Sequence, residues 1–333
     1  MKTFLFAFFL VLYFHTFDQC NGEKLIVNTD GGADDAIAII MLLSHERLAG
    51  EAKKFEVIGI ICSYGNTREP QVERNVLRVL TLLGREDIPV YEGPQIGFNR
   101  RFASDSYFGD DGFGNAKFDW PVKGEIWRTM PAHEAIIELA RKHSGDVSVV
   151  SLGPTTNVAK AILYDDDLTS HLNYIYTMGG NVADPNDPTS HVEFNFLADP
   201  KSNFILFDAA NELQVTLVPW ETVTNTGISK EWRVNVLGKI DSPIVDFMNK
   251  IEAISLSKEK TMWTSSDALL VACMLDPALI SSVKSTHVEA IVTGPQKGTI
   301  IMDDRSDVLK NTIVIEKIDV EPLKQIFIDY LAY

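Results

Sequence analysis

The sequence predicts an α/β fold, a mainly parallel, Rossmann-like open sheet with helices on both faces and a few antiparallel strands. Two observations support this fold class. Apolar runs rich in Val and Ile alternate with helix-like segments along most of the chain, and near-continuous apolar strands joined by helical crossovers are typical of parallel sheets covered on both faces. No Pro/Gly/Ser-rich linker divides residues 23–333, which are therefore predicted to form a single domain.

The elements follow in order along the chain. We expect buried strands at residues 24–29, 55–62, 147–152, 174–178 and 213–218. Helical patterns lie between or after them, at residues 35–45, 71–83, 156–163 and 266–274. The later runs at 285–293, 299–302 and 312–315 are separated by short turns and are predicted to be antiparallel. In open parallel sheets, ligands bind beyond the carboxyl ends of the strands, so polar residues at those ends are the site candidates.

The amino terminus has the layout of a secretory signal peptide. Lys2 precedes an apolar run at residues 4–14, and the small residues around Cys20 and Gly22 suit a cleavage site. A membrane anchor is the alternative, but the run is shorter than the ~20 apolar residues that span a bilayer. We therefore expect residues 1–22 to be removed and the mature protein to be secreted and extracellular.

Charge and cysteine content narrow the partners and the redox chemistry. The net charge of −16 argues against nucleic acid or an anionic membrane as a partner, since both require clustered positive charge. Cleavage would leave Cys62 and Cys273. Two buried thiols are the expected state, and a single disulfide is the alternative.

An acidic turn lies where the first strand gives way to a helix. Asp30, Asp34 and Asp35 fall within six residues, and Gly31 and Gly32 permit a sharp bend and close approach of the backbone to a ligand. Clustered carboxylates favour a hard cation with oxygen ligands. Helix capping is the competing interpretation, but it accounts for one or two of the three aspartates. The turn therefore predicts a metal site.

A phosphatase is a further interpretation of this turn. A strand-end Asp-x-Asp pair supplies the nucleophile and the acid in some phosphatases, and Asn28 and Asp30 have that spacing. Asn28 stands where the nucleophilic Asp is expected, which weakens this hypothesis.

Six further blocks, together with this turn, resemble one family, the inosine-uridine-preferring nucleoside hydrolases. Its signature Asp-Thr-Asp-Pro-Gly-x-Asp-Asp-Ala is similar to the segment from Asn28 to Ala36, with departures at the first Asp and at the Pro. The other blocks follow in the family's order and span nearly the whole mature chain: Gly65-Asn66-Thr67, Gly109-Asp110-Asp111-Gly112-Phe113-Gly114, Leu152-Gly153-Pro154-Thr155-Thr156-Asn157, Met178-Gly179-Gly180, Glu193-Phe194-Asn195 and Ser266-Asp267-Ala268.

The resemblance implies hydrolysis of the N-glycosidic bond of ribonucleosides with a bound Ca²⁺. It implies that Asp30 is the general base and also a metal ligand, together with Asp35, Asp267 and the main-chain carbonyl of Leu152. The ribose contacts it implies are Asp34, Asn66, Met178, Asn186, Glu193 and Asn195. A water held by the cation and deprotonated by a neighbouring carboxylate suits cleavage through an oxocarbenium-like ribose.

The departures from the family concern the leaving base. Ser266 and Phe108 stand where many members have a histidine that protonates the base. Purine-preferring members stack aromatic rings on the base instead, and the candidates here are Trp263, Phe108 and Tyr107, with Phe113 as a further one. Core or lid packing is the alternative for each ring. We therefore expect purine nucleosides (inosine, guanosine or adenosine) to be favoured over uridine.

The resulting prediction is a secreted, Ca²⁺-dependent nucleosidase with a small-molecule ribonucleoside substrate. Because family members are commonly dimers or tetramers, a homo-oligomer is expected. Asn28 and Ser266 leave open a catalytically impaired nucleoside-binding protein, and the metal-dependent phosphatase is the less favoured alternative.

Overall fold

A computed structural model describes residues 22–99, 101–184, 186–187, 191–211 and 214–332. The predicted signal peptide at residues 1–22 lies outside the described residues apart from Gly22. Within the described part of the chain, no helix has both the length and the apolar character needed to cross a membrane.

Ten strands form one sheet. They are β1 (Glu23–Thr29), β2 (Phe55–Cys62), β3 (Val90–Tyr91), β4 (Ile126–Trp127), β5 (Val147–Ser151), β6 (Ile175–Met178), β7 (Val215–Val218), β8 (Ile280–Ala290), β9 (Ile300–Asp303) and β10 (Thr312–Ile318). Their order across the sheet is β4-β3-β2-β1-β5-β6-β7-β10-β8-β9. Strand β1 is therefore central, with β2 on one side and β5 on the other.

The chain reverses its direction of travel across the sheet at β1. From β1 it proceeds through β2, β3 and β4 to one edge, and it then returns to place β5 on the free side of β1. All these neighbours are parallel. A crevice forms beyond the carboxyl ends of strands at such a reversal, so the residues that follow β1 and β5 share one cleft.

The antiparallel prediction is confirmed. Strand β8 runs antiparallel to both β9 and β10. Strand β10 also pairs in parallel with β7 and so joins this antiparallel group to the main sheet. The turns between the last three runs predict their pairing with each other, but they carry no information on how the group joins the main sheet.

Thirteen α-helices lie in the described residues. They are α1 (Ala33–Ala49), α2 (Glu69–Leu83), α3 (Ala132–Lys142), α4 (Thr156–Tyr164), α5 (Leu168–His171), α6 (Phe194–Ala198), α7 (Pro200–Ala209), α8 (Trp220–Asn225), α9 (Lys230–Asn235), α10 (Pro243–Ile251), α11 (Ala253–Ser257), α12 (Ser266–Leu275) and α13 (Val320–Leu331). The four helices and five main strands predicted from the sequence are present, with ends that differ by a few residues. Residue 213 of the predicted 213–218 strand lies outside the described residues.

The sheet is covered on both faces, as the continuous apolar strands predict. Leu25 and Val27 of β1 pack in one apolar cluster with α1 and α12, whereas Ile26 packs in a second cluster with α3 and α4. This division follows from the alternation of side chains along a strand. Cys62 and Cys273 are buried free thiols, which confirms the expectation for these two residues.

Candidate active site

The acidic turn joins the end of β1 to the start of α1. Gly31 has a φ of +68°, a conformation that L side chains rarely adopt, and a Cβ there would lie 2.9 Å from the Val72 side chain. The Asp35 carboxylate accepts hydrogen bonds from the backbone amides of Asp30 (3.1 Å) and Gly32 (2.9 Å). Asp35 therefore caps α1 and fixes the turn, so the capping interpretation describes part of its role.

Asp30 is fully buried and held by Asn66. The backbone amide of Asn66 donates to Oδ2 of Asp30 (2.7 Å), and its side-chain amide donates to Oδ1 (3.1 Å). Gly65 and Gly153 permit this enclosure, because a Cβ at either position would overlap Asp30, at 1.8 Å and 2.8 Å from its nearest atom. The blocks around Asn66 and Leu152 thus form the walls around this carboxylate.

Three carboxylates meet beside the turn. Asp34, Asp35 and Asp267 each contribute an oxygen, and these oxygens lie within 4.8 Å of one another. All three residues are buried, and Oδ1 of Asp34 has no hydrogen-bond partner. Asp267 is brought here by the first turn of α12, more than two hundred residues away in sequence. This set of hard oxygen donors suits a divalent cation.

The resemblance assigns Asp30 to the metal and Asp34 to the sugar. The geometry places Asp34 in the carboxylate group and Asp30 next to it, with the oxygens of Asp30 turned to Asn66. The Nδ2 of Asn66 lies 3.3 Å from Oδ2 of Asp35, so one amide joins Asp30 to the group.

Burial dominates the electrostatics of this cluster. It raises the pKa of Asp30, Asp34 and Asp267 well above the ordinary value of 3.8, and repulsion from neighbouring carboxylates adds to the effect. Burial also raises the pKa of Glu193, although backbone amides that donate to it oppose the shift. A buried cluster of this kind is stabilised either by protons or by a cation.

The predicted ribose contacts beyond the turn lie on neighbouring strand ends. Met178 ends β6, and Glu193 precedes α6, where its carboxylate accepts from the backbone amides of Gly180 (2.8 Å) and Asn195 (2.8 Å). The side-chain amide of Asn195 donates to the carbonyl oxygen of Leu152 (2.7 Å) and lies 3.8 Å from the sulfur of Met178. Asn195 therefore connects the ends of β5 and β6.

These residues line one cleft, which we call the carboxyl-end pocket. Its lining is formed by Asp34, Asn66, Asp105, Tyr107, Phe108, Leu152, Met178, His191, Glu193, Phe194, Asn195, Trp220, Lys260, Thr264, Ser266 and Asp267. The pocket brings together seven of the predicted site residues outside the base-stacking set. It also contains two of the three predicted stacking candidates, Tyr107 and Phe108, whose rings pack edge to face at 4.8 Å.

The third stacking candidate, Trp263, is not in the pocket, and that prediction is wrong. Trp263 is buried, and its Nε1 donates to Oε1 of Glu252 (2.6 Å). Its ring packs on Phe327 with centroids 5.1 Å apart. An indole next to a polar loop has the same sequence signature whether it faces a ligand or the core, and here it faces the core. Phe113 is likewise buried in the core, against Phe247.

Asn186 also lies apart from the pocket. It is exposed on a turn, where its backbone amide donates to Oδ1 of Asp184 (2.8 Å), and it does not belong to the pocket lining. The structure therefore gives no support for the predicted sugar contact at this residue. The extra residue between Met178 and Glu193 makes the register of the resemblance ambiguous at this position.

Asn28 has a structural role. Its Nδ2 donates to Ser151 Oγ (3.0 Å) and to the carbonyl of Pro154 (3.1 Å), and its Oδ1 accepts from Asn157 (2.9 Å). The side chain is fully buried between β1 and the turn after β5. This placement removes the basis for the phosphatase hypothesis, which needs position 28 to face the substrate.

Three aromatic side chains of the pocket lining were not predicted from the sequence. Trp220 begins α8 beyond β7, Phe194 begins α6, and His191 packs against Trp220 with ring centroids 5.7 Å apart. Of the three, only Trp220 could be predicted from the sequence, because it lies just beyond the carboxyl end of a predicted strand.

Comparisons with known proteins agree with this geometry. A family profile described as inosine-uridine preferring nucleoside hydrolase matches residues 25–325. A probable uridine nucleosidase 2 from Arabidopsis thaliana is 32% identical over 194 residues, which cover 57% of this chain and 58% of that protein. The chain thus matches little more than half of that relative's length. A pyrimidine-specific ribonucleoside hydrolase, RihA, from Photobacterium profundum is 27% identical over 270 residues, covering 78% of this chain and 82% of the relative.

Solved structures show the same fold. An inosine-guanosine nucleoside hydrolase superimposes with a TM-score of 0.80 at 25% identity, covering 93% of this chain and 98% of that structure. A purine-preferring ribonucleoside hydrolase from Gardnerella vaginalis superimposes with a TM-score of 0.79 at 26% identity, with coverages of 93% and 98%. The predicted fold class is confirmed.

Proposed function

The chain belongs to the inosine-uridine preferring nucleoside hydrolase family, and from this premise we propose that it hydrolyses the N-glycosidic bond of ribonucleosides. The products are the free base and ribose. The observation that carries the proposal is the group of buried carboxylates, Asp34, Asp35 and Asp267, two of which (Asp34 and Asp267) line a pocket that aromatic side chains also line. Carboxylates suit the water and the sugar hydroxyls, and aromatic rings suit the base.

The donor set fits Ca²⁺, the cation that we propose. Asp34, Asp35 and Asp267 offer hard oxygens, the unpartnered Oδ1 of Asp34 provides a free acceptor, and the Leu152 carbonyl lies in the same pocket lining. Asp30 lies next to this set, connected to Asp35 through the side-chain amide of Asn66. When bound, the cation supplies a polarised water and orients the ribose hydroxyls.

Asp30 is the proposed general base. Burial and the neighbouring Asp35 raise its pKa, and a carboxylate with a raised pKa is a stronger proton acceptor. Asn66 donates to both oxygens of Asp30 and so fixes the direction in which the carboxylate accepts a proton. Asp30 therefore removes the proton of the attacking water.

Glu193, Asn195, Asn66 and Asp34 are the proposed ribose contacts. The backbone amides that donate to Glu193 hold this carboxylate in the pocket, and Asn195 is fixed through Leu152. Met178 contributes a polarizable sulfur to the pocket lining. Such a sulfur suits a ribose ring that develops positive charge.

Purine nucleosides are the proposed preferred substrates. Tyr107, Phe108, Phe194 and Trp220 line the pocket and offer a larger stacking surface than a pyrimidine covers. The relatives divide on this point, since the plant and RihA proteins are named for uridine or pyrimidine nucleosides and the two structural neighbours for purine nucleosides. The aromatic lining is what favours purines here.

Export and self-association complete the proposal. Residues 1–22 are proposed to direct secretion, and a homo-oligomer is proposed for the mature chain. Expression of the full chain in a secreting host, followed by amino-terminal sequencing of protein from the medium, tests export. Retention of the uncleaved chain inside the cell would contradict it.

A panel of nucleosides tests the function. Purified residues 23–333 are incubated separately with inosine, guanosine, adenosine and uridine, while free base and reducing sugar are both measured. Equimolar release of base and ribose is expected, with larger kcat/KM for the purine nucleosides. Saturable binding without release would instead identify a nucleoside-binding protein, and faster uridine cleavage would overturn the purine preference.

A further inference from the structure

The departing base needs a proton, which a side chain of the pocket lining can donate. Cleavage of the N-glycosidic bond leaves the bonding electron pair on a ring nitrogen of the base, and protonation at that stage avoids an unstable anion. Ser266, which precedes Asp267, carries only a weakly acidic hydroxyl. Some other group in the pocket must supply the proton if the protein provides one.

His191 is the one imidazole in the carboxyl-end pocket among the described residues. Imidazole is the side chain whose ordinary pKa allows proton exchange near neutral pH. The residue is exposed at the pocket, so solvent can return a proton to the ring after each turnover. Its ring lies against Trp220, with centroids 5.7 Å apart, which places it on the aromatic side of the pocket.

The backbone at His191 is fixed relative to the ribose side of the pocket. Asn181, which follows β6, donates from Nδ2 to the carbonyl of His191 (2.8 Å), while its Oδ1 accepts from the backbone amide of Glu193 (2.9 Å). One buried amide thus holds both ends of the segment. Side chains two residues apart in an extended segment project to the same side, and both His191 and Glu193 belong to the pocket lining.

The other polar groups on the aromatic side are less suited to this task. Burial raises the pKa of the Tyr107 phenol to about 12, so it releases a proton poorly. The ammonium of Lys260 lies over the Tyr107 ring, 4.8 Å from its centroid. Asp105 accepts from the backbone amide of Tyr107 (2.8 Å) through its carboxylate. Lys260 and Asp105 are thus both engaged with Tyr107.

We propose that His191 is a catalytic acid that protonates the leaving base, an inference that rests on the proposed function. As the bond between C1′ and the base nitrogen breaks, its electron pair stays on the base. The imidazolium of His191 gives its proton to a ring nitrogen of the base, and the attacking water gives a proton to Asp30. Free base and ribose leave, and His191 and Asp30 return to their starting states by exchange with solvent.

The test compares a leaving group that needs a proton with one that does not. Wild type, His191→Asn and His191→Phe are assayed on inosine and on p-nitrophenyl β-D-ribofuranoside, whose nitrophenolate leaves as a stable anion. His143→Asn, at the carboxyl end of α3 and outside the pocket lining, is the matched control. Both His191 variants are expected to lose about 10²- to 10³-fold in kcat on inosine, with p-nitrophenyl riboside turnover within about threefold of wild type.

Two further readouts separate catalysis from packing. With inosine, the decline of kcat at high pH in the wild type is expected to disappear in both variants, while KM changes little. The His191→Phe variant keeps an aromatic ring against Trp220, so recovery of inosine turnover in it would show a packing role and overturn the proposal. Equal losses on both substrates, or none on either, would overturn it as well. Failure of the wild type on both substrates would instead refute the proposed function.

Discussion

At the residue scale, the same aspartates that fix the turn also form the site. Asp35 accepts backbone hydrogen bonds that begin α1, and it contributes an oxygen to the carboxylate group. Helix capping and a place in a candidate metal site, which compete as interpretations of the sequence, are therefore compatible in one side chain. Gly65 and Gly153 leave room for the Asp30 side chain, so the blocks around Asn66 and Leu152 can pack against the acidic turn.

Replacement of Asp30 tests the assignment of the general base. Asp30→Asn keeps the size of the side chain and its place beside Asn66, but it removes the proton acceptor. We expect kcat on inosine to fall by about 10²- to 10⁴-fold, the usual contribution of a general base. The exposed Asp166→Asn is the control. Wild-type turnover by Asp30→Asn would contradict the assignment.

The two tryptophans give a paired prediction. Trp220→Ala removes a pocket wall, and we expect it to raise KM for inosine with little change in the free energy of unfolding. Trp263→Phe leaves Oε1 of Glu252 without its buried donor, which costs about 1–3 kcal/mol of stability and leaves KM nearly unchanged. Steady-state kinetics and urea unfolding of both variants test this prediction. A reversed pattern, with KM raised in Trp263→Phe and stability lost in Trp220→Ala, would indicate that Trp263 contacts the substrate.

At the element scale, the site lies where the strand order predicts. The residues after β1 and β5 converge because the chain reverses at β1, and this convergence follows from the alternation of strands and helices in the sequence. The placement of His191 and Trp220 depends on the irregular segments that follow β6 and β7. Their sequences carry no periodicity, so the aromatic side of the pocket was predictable only in part.

A buried ion pair links the elements behind the pocket. Arg233 of α9 bonds through Nε to Oε2 of Glu252 (2.8 Å), and both side chains are buried. Glu252 lies between α10 and α11 and also accepts from Trp263, which lies three residues before α12 and its first-turn residues Ser266 and Asp267. This network is expected to hold the start of α12 against the body of the protein.

Removal of one partner tests the network. Arg233→Met leaves Glu252 buried without its cation, and we expect a loss of about 3–5 kcal/mol in the free energy of unfolding. Arg305→Met, which breaks a surface pair with Asp303, is the comparison and should cost far less. Equal losses in the two variants, measured by urea unfolding, would contradict the role of burial.

For the molecule as a whole, the carboxylate cluster makes stability depend on pH and on the cation. In the metal-free protein, burial raises the pKa of Asp30, Asp34 and Asp267 above 3.8. From that unfolded value up to the raised native values, the folded state binds more protons than the unfolded chain. The stability of the metal-free protein therefore falls as pH rises through this window.

The proposed Ca²⁺ would replace those protons, so its stabilising effect is expected to grow with pH. Free Ca²⁺ at a hundred times its Kd stabilises by about 2.7 kcal/mol. Thermal unfolding with chelator or with Ca²⁺ should give a larger Tm difference at about pH 8 than at about pH 5.5. A Tm difference that is independent of pH would show that the cation does not bind at the carboxylates.

Fold class, the carboxylates and the ribose side follow from the sequence because they lie at strand ends within contiguous blocks. The predictions for Trp263 and Asn186 failed for different reasons. A tryptophan beside a polar loop gives no sign of which way its ring faces, and an inserted residue shifts the register of a turn. Site residues within short sequence blocks could thus be predicted, whereas the direction of side chains on loops could not.

The central claim is that the buried carboxylates hold a cation used to hydrolyse ribonucleosides. The most direct measurement is ribose release from inosine by chelator-treated protein as Ca²⁺ is titrated back. The account predicts no release without the cation, saturable recovery as it is added, and no recovery in an Asp267→Asn variant. Full activity of the stripped wild type, or no release from it at any Ca²⁺ concentration, would contradict the claim.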